Sequence, residues 1–260
     1  MQQQQRASDN VIVSVSPPVA TLTLNRPDKR NALSLQLMRD LTAAFRAVGQ
    51  DESIRAIVLK ASGKVFSAGH DLSEFPGRDE TFYRELFDAC VELMTEIQSV
   101  PQPVIAQVEG MATAAGCQLV ATCDLVVAAD TATFATPGVK IGLFCSTPMV
   151  ALSRAVPRKL AMQMLLTGEP IDAQRALEAG LINLVAAPEK VEETVAALIA
   201  KITRFSPFVI GLGKRAFYRQ AEMAQDDAYA FTKDVMSRNA AADAAREGIA
   251  AFLEKRPPRF

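Results

Sequence analysis

Two turns rich in small residues are the places in this sequence where backbone groups could do chemistry. Residues 67–71 follow a predicted strand, and residues 110–116 lie between the apolar segment Val104–Val108 and a stretch with helical spacing. A helix that begins in such a turn exposes N–H groups that have no intrahelical partner, and the helix dipole adds positive potential there. The second turn is therefore predicted to receive a phosphate or a developing oxyanion.

Side chains that serve metal and nucleophilic chemistry are sparse. The chain has four cysteines without CxxC spacing and one histidine, so no zinc or other metal site is predicted. The cysteines are interpreted as free thiols in a reducing compartment. Cys145 lies in the loop 142–146, where no second histidine exists to activate it as a nucleophile. No GxGxxG or GxxxxGK[ST] loop is present, which argues against dinucleotide or P-loop chemistry.

Composition excludes several classes of partner. The 260 residues are 49% hydrophobic and 22% charged with a net charge of −1, which gives no electrostatic basis for binding nucleic acid or a membrane surface. No apolar run reaches the roughly 18 residues of a transmembrane helix. Residues 1–9 are predicted to be a flexible tail without a signal peptide or a clear transit peptide. We expect a cytoplasmic protein in a bacterium, or a matrix protein in a mitochondrion.

Hydrophobic periodicity predicts strands and helices that position these turns. A hairpin is expected over residues 11–24, and an amphipathic helix over residues 35–48 with Ser34 as its N-cap. A buried strand over 54–60 precedes the first turn, and a helix over 79–99 follows it. Later segments are predicted as strands over 125–128, 133–135 and 180–185, and as helices over 150–155, 159–166, 173–179, 191–202, 207–220 and about 229–253.

Motifs along the whole chain resemble one known family. They are SAGHDL at 67–72, GMATAAGCQL at 110–119, NRP at 25–27, RNALS at 30–34, CD at 123–124, AAD at 128–130, LTGEPI at 166–171 and FLEKRPP at 252–258. In order and spacing they resemble the enoyl-CoA hydratase/isomerase family. Residues 114–121, 134–139 and 142–148 look most similar to its subgroup of enoyl-CoA hydratase domain-containing proteins.

The resemblance implies an α/β protein of the crotonase (ClpP-like) fold. Residues 10–200 would form a spiral of ββα units, and residues 201–260 a C-terminal helical trimerisation region. The expected partners are an acyl-CoA thioester and further copies of the chain, as a homotrimer or a dimer of trimers. No cofactor is expected beyond the coenzyme A portion of the substrate.

The resemblance also implies roles for individual residues. The backbone N–H groups of His70 and Ala115 match an oxyanion hole for the thioester carbonyl, in which each donor contributes roughly a hundredfold in rate. His70 is then interpreted as present for its amide, with its imidazole a minor candidate. Contacts with coenzyme A are expected at Lys29, Arg30, Ala68, His70, Asp71, Leu72 and Lys255, although a solvated charge cluster would also explain the basic residues.

The chain departs from the family at the acid and base positions. Gln118 and Gly138 stand where hydratases of the family have two glutamates, and Ser146 stands where some members have an aspartate. An amide can orient water but cannot exchange a proton, and each missing acid or base is worth about 10² to 10⁴ in rate. We therefore expect poor enoyl-CoA hydration. Nearby Asp71 is expected to cap its turn, and Glu109 to face solvent.

Three functions stay open at this point. The chain is either a lyase, isomerase or thioester hydrolase of fatty acid metabolism with Gln118 orienting a water, or a trimer that binds acyl-CoA without turnover, or a scaffold that binds none. The two retained turns argue against the scaffold. The helix from residue 79 and the loop around Phe144 are expected to wall the acyl pocket, and the sequence does not give the acyl-chain length.

Overall fold

A β hairpin opens the fold, as the alternation of apolar residues predicts. The computed structural model describes the backbone of residues 3–6 and all of residues 8–260. β2 (Val11–Ser16) pairs antiparallel with β3 (Val19–Leu24), and β1 (Gln3–Arg6) pairs antiparallel with β2.

The flexible tail predicted for residues 1–9 needs correction at residues 3–6. These residues belong to the sheet because β2 offers a free edge whose backbone groups need partners, and this requires no apolar pattern in the added strand. Met1, Gln2 and Ala7 lie outside the described residues.

Two sheets, rather than one, organise the middle of the chain. The seven-stranded sheet has the order β1-β2-β3-β4-β6-β8-β11, and the four-stranded sheet has the order β10-β9-β7-β5. Beyond the hairpin the first sheet contains β4 (Ala56–Ala61), β6 (Val104–Val108), β8 (Leu125–Ala129) and β11 (Leu184–Ala186), all parallel to their neighbours. The second contains β5 (Val65–Ser67), β7 (Met111–Thr113), β9 (Thr133–Ala135) and β10 (Ile171–Asp172).

The helices follow the predicted segments closely. They are α1 (Leu35–Gly49), α2 (Glu80–Ser99), α3 (Ala115–Thr122), α4 (Ser146–Ala155), α5 (Arg158–Thr167), α6 (Ala173–Glu178), α7 (Val191–Thr203), α8 (Pro207–Gln220), α9 (Gln225–Ala240) and α10 (Asp243–Leu253). Ser34 caps α1 as expected, because its side chain accepts a hydrogen bond from the Leu37 N–H at 3.2 Å.

A strand of the first sheet, a strand of the second and a helix recur three times. The units are β4-β5-α2, β6-β7-α3 and β8-β9-α4. This is the spiral of ββα units that the resemblance implies. The first small-residue turn therefore follows β5, the second contains β7, and each leads towards a helix.

The core lies on both faces of the first sheet. One face packs with α1, α2 and α3 into the main cluster, which includes Ile57 and Leu59 of β4. The alternate residues of β4, Ala56 and Val58, belong to a smaller cluster with Val191, Val195 and Ile199 of α7. Because side chains of a strand alternate between the two faces of a sheet, the continuous apolar run of β4 contributes to the core on both faces.

The final helix predicted over about 229–253 is two helices. α9 ends at Ala240, and α10 begins at Asp243 after a break at Ala241 and Ala242. The Ala242 N–H donates a hydrogen bond to the Asn239 carbonyl at 3.1 Å. Asp243 lies in the first turn of α10, where the helix dipole favours a carboxylate. The sequence at the break is rich in alanine, which favours helices, so the helical pattern of the sequence shows no interruption there.

A buried polar cluster fixes α8 to the far end of α3. Asp124, just after α3, forms an ion pair with Lys214 at 2.7 Å and accepts hydrogen bonds from the Tyr218 hydroxyl at 2.8 Å and the Val104 N–H at 2.7 Å. Burial lowers the pKa of Lys214, although Asp124 opposes that shift, and burial raises the pKa of Tyr218. We call Asp124, Lys214 and Tyr218 the docking cluster.

The helices of the described chain differ from membrane-spanning helices in length or composition. Within the described part of the chain no single helix is long and apolar enough to cross a bilayer. One bent pair, Pro188–Thr203 with Pro207–Gln220, meets the length and composition requirement only when its two parts are taken together.

Candidate functional site

The two small-residue turns lie in direct contact. Gly69 has a φ of +89°, and a Cβ on it would lie 2.8 Å from the Ala114 Cβ and 3.0 Å from the Thr113 carbonyl oxygen. A Cβ on Gly116 would lie 2.4 Å from the Ser67 carbonyl oxygen. Glycine is needed at both positions because the two backbones approach too closely for a side chain. The contact brings His70, which follows Gly69, close to Ala115, which precedes Gly116.

The first turn holds the His70 peptide in a fixed orientation. Leu33 and His70 form an isolated parallel bridge, in which the Leu33 N–H donates to the Gly69 carbonyl at 2.7 Å and the Asp71 N–H donates to the Leu33 carbonyl at 3.1 Å. Both neighbouring peptides are thus anchored. The N–H of His70 takes no part in the bridge.

The second turn presents the Ala115 N–H at the start of α3. Ala114, before it, has φ 50° and ψ −120°, and its N–H donates to the Ala135 carbonyl at 2.9 Å. Such a conformation is unusual for a residue other than glycine and costs about 1–3 kcal/mol. Among the described residues neither the His70 N–H nor the Ala115 N–H has an acceptor. Two free donors therefore stand on two touching turns.

An ion pair ties the first loop of the chain to the first turn. Arg26 contacts Asp71 at 3.0 Å and also donates to the Ala32 carbonyl at 2.9 Å. Asp71 caps its turn, as expected, by accepting from the Ser73 N–H at 3.2 Å and the Ser73 hydroxyl at 2.6 Å. Burial would raise the pKa of Asp71, but the hydrogen bonds from Ser73 and Arg26 lower it below its usual value.

Asn31 makes the second connection between the loop and the turn. Its side chain is fully buried and donates to the Ser62 and Val65 carbonyls at 2.8 and 2.7 Å. The Ser67 hydroxyl in turn donates to the Asn31 carbonyl at 2.9 Å. Sequence reasoning did not assign Arg26 or Asn31 to the site; the NRP and RNALS motifs that contain them carried the only signal.

The residues expected to contact coenzyme A are brought together in part. Lys29 and Arg30 lie exposed in the loop that Asn31 fixes, and the Ala68 N–H donates to the Arg30 carbonyl at 3.0 Å. The loop is thereby adjacent to residues 68–72, where Leu72 is exposed. Lys255 lies just beyond α10, exposed and with φ 53°, and no hydrogen bond or ion pair in the described chain joins it to the loop.

The His70 side chain is neutral and packed against α2. Its ring meets the edge of Phe87 with centroids 5.3 Å apart, and its Nε2 is buried without a partner within the described residues. Burial lowers its pKa to about 4. An imidazole with this pKa is a poor general base near pH 7.

Gln118 lies one turn into α3, on the side that faces α2. The residue is 4% exposed, and its Oε1 accepts a hydrogen bond from the Cys90 thiol at 3.7 Å. Burial raises the pKa of Cys90 to about 12, so the thiol keeps its proton. Phe87 and Cys90 are three residues apart on α2, so the same helix turn touches both His70 and Gln118.

Gly138 is enclosed by the loop that follows it. A Cβ on Gly138 would lie 2.5 Å from the Leu143 carbonyl oxygen and 2.9 Å from the Cys145 Sγ. The Leu143 N–H also donates to the Gly138 carbonyl at 3.0 Å, which closes the loop on the glycine. No larger residue fits here unless residues 143–145 move.

The remaining candidates have local roles. Ser146 is exposed, and its hydroxyl donates to the Phe144 carbonyl at 3.3 Å. The four cysteines are free and buried, and burial raises the pKa of Cys145, which argues against a nucleophilic thiolate. Glu109 is exposed as expected and accepts from the Gln107 side chain at 2.6 Å.

Comparison with known proteins shows the family of the chain. The family model described as enoyl-CoA hydratase/isomerase matches residues 15–260. The chain belongs to the enoyl-CoA hydratase/isomerase family. The "Enoyl-CoA hydratase domain-containing protein 3, mitochondrial" of Xenopus laevis is 47% identical over 92% of this chain and 82% of its own length.

Solved structures of the enoyl-CoA hydratase/isomerase family confirm the crotonase fold. The human enoyl-CoA hydratase domain-containing protein 3 is 44% identical, superposes with a TM-score of 0.93, and the match covers 96% of this chain and 100% of that one. An enoyl-CoA hydratase from Mycobacterium smegmatis is 46% identical with a TM-score of 0.92, and the match covers 100% and 97%. The subgroup resemblance is confirmed as well.

Proposed function

We propose that the chain binds acyl-CoA thioesters and hydrates enoyl-CoA poorly. The supporting observation is the pair of free N–H groups, at His70 and Ala115, on turns that Gly69 and Gly116 allow to touch. A thioester carbonyl oxygen between them accepts two hydrogen bonds, and these strengthen as the oxygen gains negative charge. Family membership makes the acyl-CoA thioester the natural ligand for such a pair.

The coenzyme A portion would extend towards the basic loop. Lys29 and Arg30 are exposed beside the first turn, and their charges suit the phosphates. Lys255, exposed just beyond α10, would supply a third cation for the phosphates. Because Arg26 and Asn31 join the loop to the turn, phosphate binding and carbonyl binding would use one rigid unit.

Weak hydration follows from the two residues that replace glutamates in the resemblance. The Gln118 side-chain amide is neither acidic nor basic enough to exchange a proton with water, and its Oε1 already accepts a hydrogen bond from the Cys90 thiol. Gly138 has no side chain, and the loop at Leu143 and Cys145 fills the space beside it. Each absent group removes about 10² to 10⁴ in rate.

Calorimetric titration with butyryl-CoA and with S-butyl-CoA, a thioether without the carbonyl oxygen, tests the binding site. We expect the thioester to bind about tenfold more tightly, because two amide hydrogen bonds are lost with the oxygen. Equal affinities for the two compounds, or no binding of either, would show the proposed carbonyl site to be wrong.

Product analysis by mass spectrometry separates the catalytic alternatives. With crotonyl-CoA we expect at least a hundredfold slower hydration than by a family hydratase that has both glutamates, assayed in parallel. Release of free coenzyme A would indicate a thioester hydrolase. Tight binding without product would indicate an acyl-CoA-binding trimer, an alternative that the enclosed Gly138 favours.

Self-association is the second part of the proposal. Large apolar side chains are exposed on the C-terminal helices, including Phe217, Met236, Phe252 and Leu253. Contiguous exposed apolar surface usually marks an interface. We expect a trimer or a dimer of trimers by light scattering; a monomer at micromolar concentration would contradict this part alone.

A further inference from the structure

Ala114, the residue before α3, has a backbone conformation that alanine rarely adopts. Its φ is 50° and its ψ is −120°. Arg30 also has a positive φ, of 53°, but its ψ of 35° places it in the left-handed helical region that L-residues can occupy. The combination at Ala114 belongs to the first central position of a type II′ turn, which glycine dominates. Ala114 is therefore the more strained of the two residues.

The strain at Ala114 acts on the peptide that carries one of the two free donors. The angle ψ of Ala114 sets the plane of the peptide that joins it to Ala115, and this peptide contains the Ala115 N–H. At the other side of the plane, the Ala114 carbonyl accepts from the Gln118 N–H at 3.0 Å. In a planar trans peptide the C=O and N–H bonds point in opposite directions. The Ala115 N–H is therefore directed away from the helix, out of its N-terminus.

The methyl group of Ala114 fills the gap between the two turns. A Cβ on Gly69 would lie 2.8 Å from the Ala114 Cβ and 3.3 Å from the Ala115 nitrogen. Because a C–C bond is about 1.5 Å long, the Gly69 Cα lies within about 4.3 Å of the Ala114 methyl carbon, which is van der Waals contact. The methyl group thus rests on the backbone of Gly69, one residue before the other donor at His70.

The backbone conformation by itself does not require alanine at residue 114. Glycine adopts a positive φ without strain, so alanine here costs stability that glycine would not. What alanine adds is the methyl contact with Gly69 and a smaller range of φ and ψ. Without the methyl group, Gly69 could move towards residue 114, and the peptide before Ala115 could rotate. Both changes would alter the relative positions of the two N–H groups.

We propose that Ala114 is a positioning residue of the carbonyl site. Its methyl group holds the two turns at a fixed separation, and its strained backbone directs the Ala115 N–H at the acceptor that the His70 N–H also binds. Backbone strain that persists beside a site is a sign of such pre-organisation. This inference rests on the proposed function, because Ala114 acts through the two donors and not by contact with the thioester.

Calorimetric titration of Ala114→Gly with butyryl-CoA and S-butyl-CoA tests the inference. The wild type should prefer the thioester about tenfold, and Ala114→Gly should reduce this preference to about threefold or less, because misaligned donors make weaker hydrogen bonds. The affinity for the thioether should change less than twofold. Ala224→Gly is a matched control: Ala224 precedes α9 as Ala114 precedes α3, but it has an ordinary φ of −63° and ψ of 152°. It should keep the wild-type preference.

Infrared difference spectroscopy adds a measurement that a change in stability alone would not alter. With butyryl-CoA isotopically labelled at the thioester carbonyl, hydrogen bonds to the oxygen lower the stretching frequency of the bound ligand. The band should lie below that of free butyryl-CoA in the wild type and in Ala224→Gly, and should move back towards the free position in Ala114→Gly. The glycine variant is expected to fold, because glycine adopts the conformation of residue 114 freely.

The inference is overturned if Ala114→Gly keeps the wild-type preference and band position, or if Ala224→Gly loses them to the same extent. A wild-type protein that binds neither compound, or binds both equally, would instead remove the proposed function, and the positioning role with it. The two failures are distinguishable because the first appears only in the variants and the second already in the wild type.

Discussion

The polar groups at the two ends of α3 differ in whether they have hydrogen-bond partners. At the C-terminal end, the docking cluster buries a carboxylate, an ammonium and a hydroxyl, and every one of these groups has a partner. Lys214 also donates to the Ile97 and Gln102 carbonyls at 2.8 and 2.9 Å. At the N-terminal end, the His70 and Ala115 backbone N–H groups and the side-chain Nε2 of Gln118 have no acceptor in the described chain.

The difference indicates that the polar groups at the C-terminal end of α3 have a structural role, whereas those at its N-terminal end are available to a ligand. Buried polar groups that are fully satisfied hold elements together, and here they dock α8 on the first sheet. Polar groups held rigidly without partners lower stability, so a fold that maintains them reserves them for a ligand. The unusual backbone of Ala114 at the N-terminal end agrees with this interpretation.

Breaking the docking cluster should give the largest loss of stability. Asp124→Ala leaves the Lys214 ammonium buried without its partner, and we expect a loss of about 3–5 kcal/mol in the free energy of unfolding. Chemical denaturation measures this, and the butyryl-CoA to S-butyl-CoA affinity ratio should stay within twofold. Asp124→Asn, which still accepts from Tyr218, serves if the alanine variant does not fold. A changed ratio would mean that the two ends are not independent.

Lowering the pH should destabilise the fold through His70, which lies beside the N-terminal end of α3. The pKa of His70 is about 4 in the folded chain, against about 6.5 when unfolded. Between these values the unfolded chain binds a proton that the folded chain does not, so stability falls as the pH is lowered from about 6.5 to about 4, by up to about 3 kcal/mol.

Denaturation curves across this pH range, for the wild type and for His70→Asn, measure that contribution. The variant keeps the backbone N–H of residue 70. Between about pH 6.5 and 4 its free energy of unfolding should fall by up to about 3 kcal/mol less than that of the wild type. Identical slopes for the two proteins would mean that His70 does not titrate as described.

Separating the two turns should affect binding more clearly than a substitution with the same backbone cost elsewhere. Gly69→Ala places a methyl group against Ala114, whereas Gly77→Ala is a matched control with φ +74° and no atom within 4 Å of the new Cβ. In both variants alanine disfavours positive φ by about 1–2 kcal/mol, and Gly69→Ala adds the cost of the close contact with Ala114. Only Gly69→Ala should lower butyryl-CoA affinity, by about tenfold or more. Equal affinities in the two variants would contradict a site built on the contact between the turns.

The local sequence predicted the backbone features at the N-terminal end of α3, but it did not predict the side-chain contacts around them. Small residues in a turn before a helix indicate free N–H groups by local rules alone, and Ser34 and Asp71 cap as such rules predict. The contacts between Arg26 and Asp71 and between Gln118 and Cys90 join residues 45 and 28 positions apart. No local pattern specifies such a pairing.

Short or edge elements were the other source of error. The second sheet consists of strands of two or three residues, such as β7, in which alternation has no room to appear. β1 is held by the edge of β2 rather than by its own composition. The break between α9 and α10 falls among alanines, which are compatible with a helix on either side.

The enclosure of Gly138 makes the present site hard to reverse by single steps. Under the proposed function, glutamate at residues 118 and 138 would not be enough for efficient hydration, because the new Cβ at 138 collides with the Leu143 carbonyl and the Cys145 thiol. The loop would have to be rebuilt before the side chain could be tolerated, and a rebuilt loop without the side chain would leave a void. Any route that adds a side chain at residue 138 by single substitutions therefore passes through a less stable intermediate.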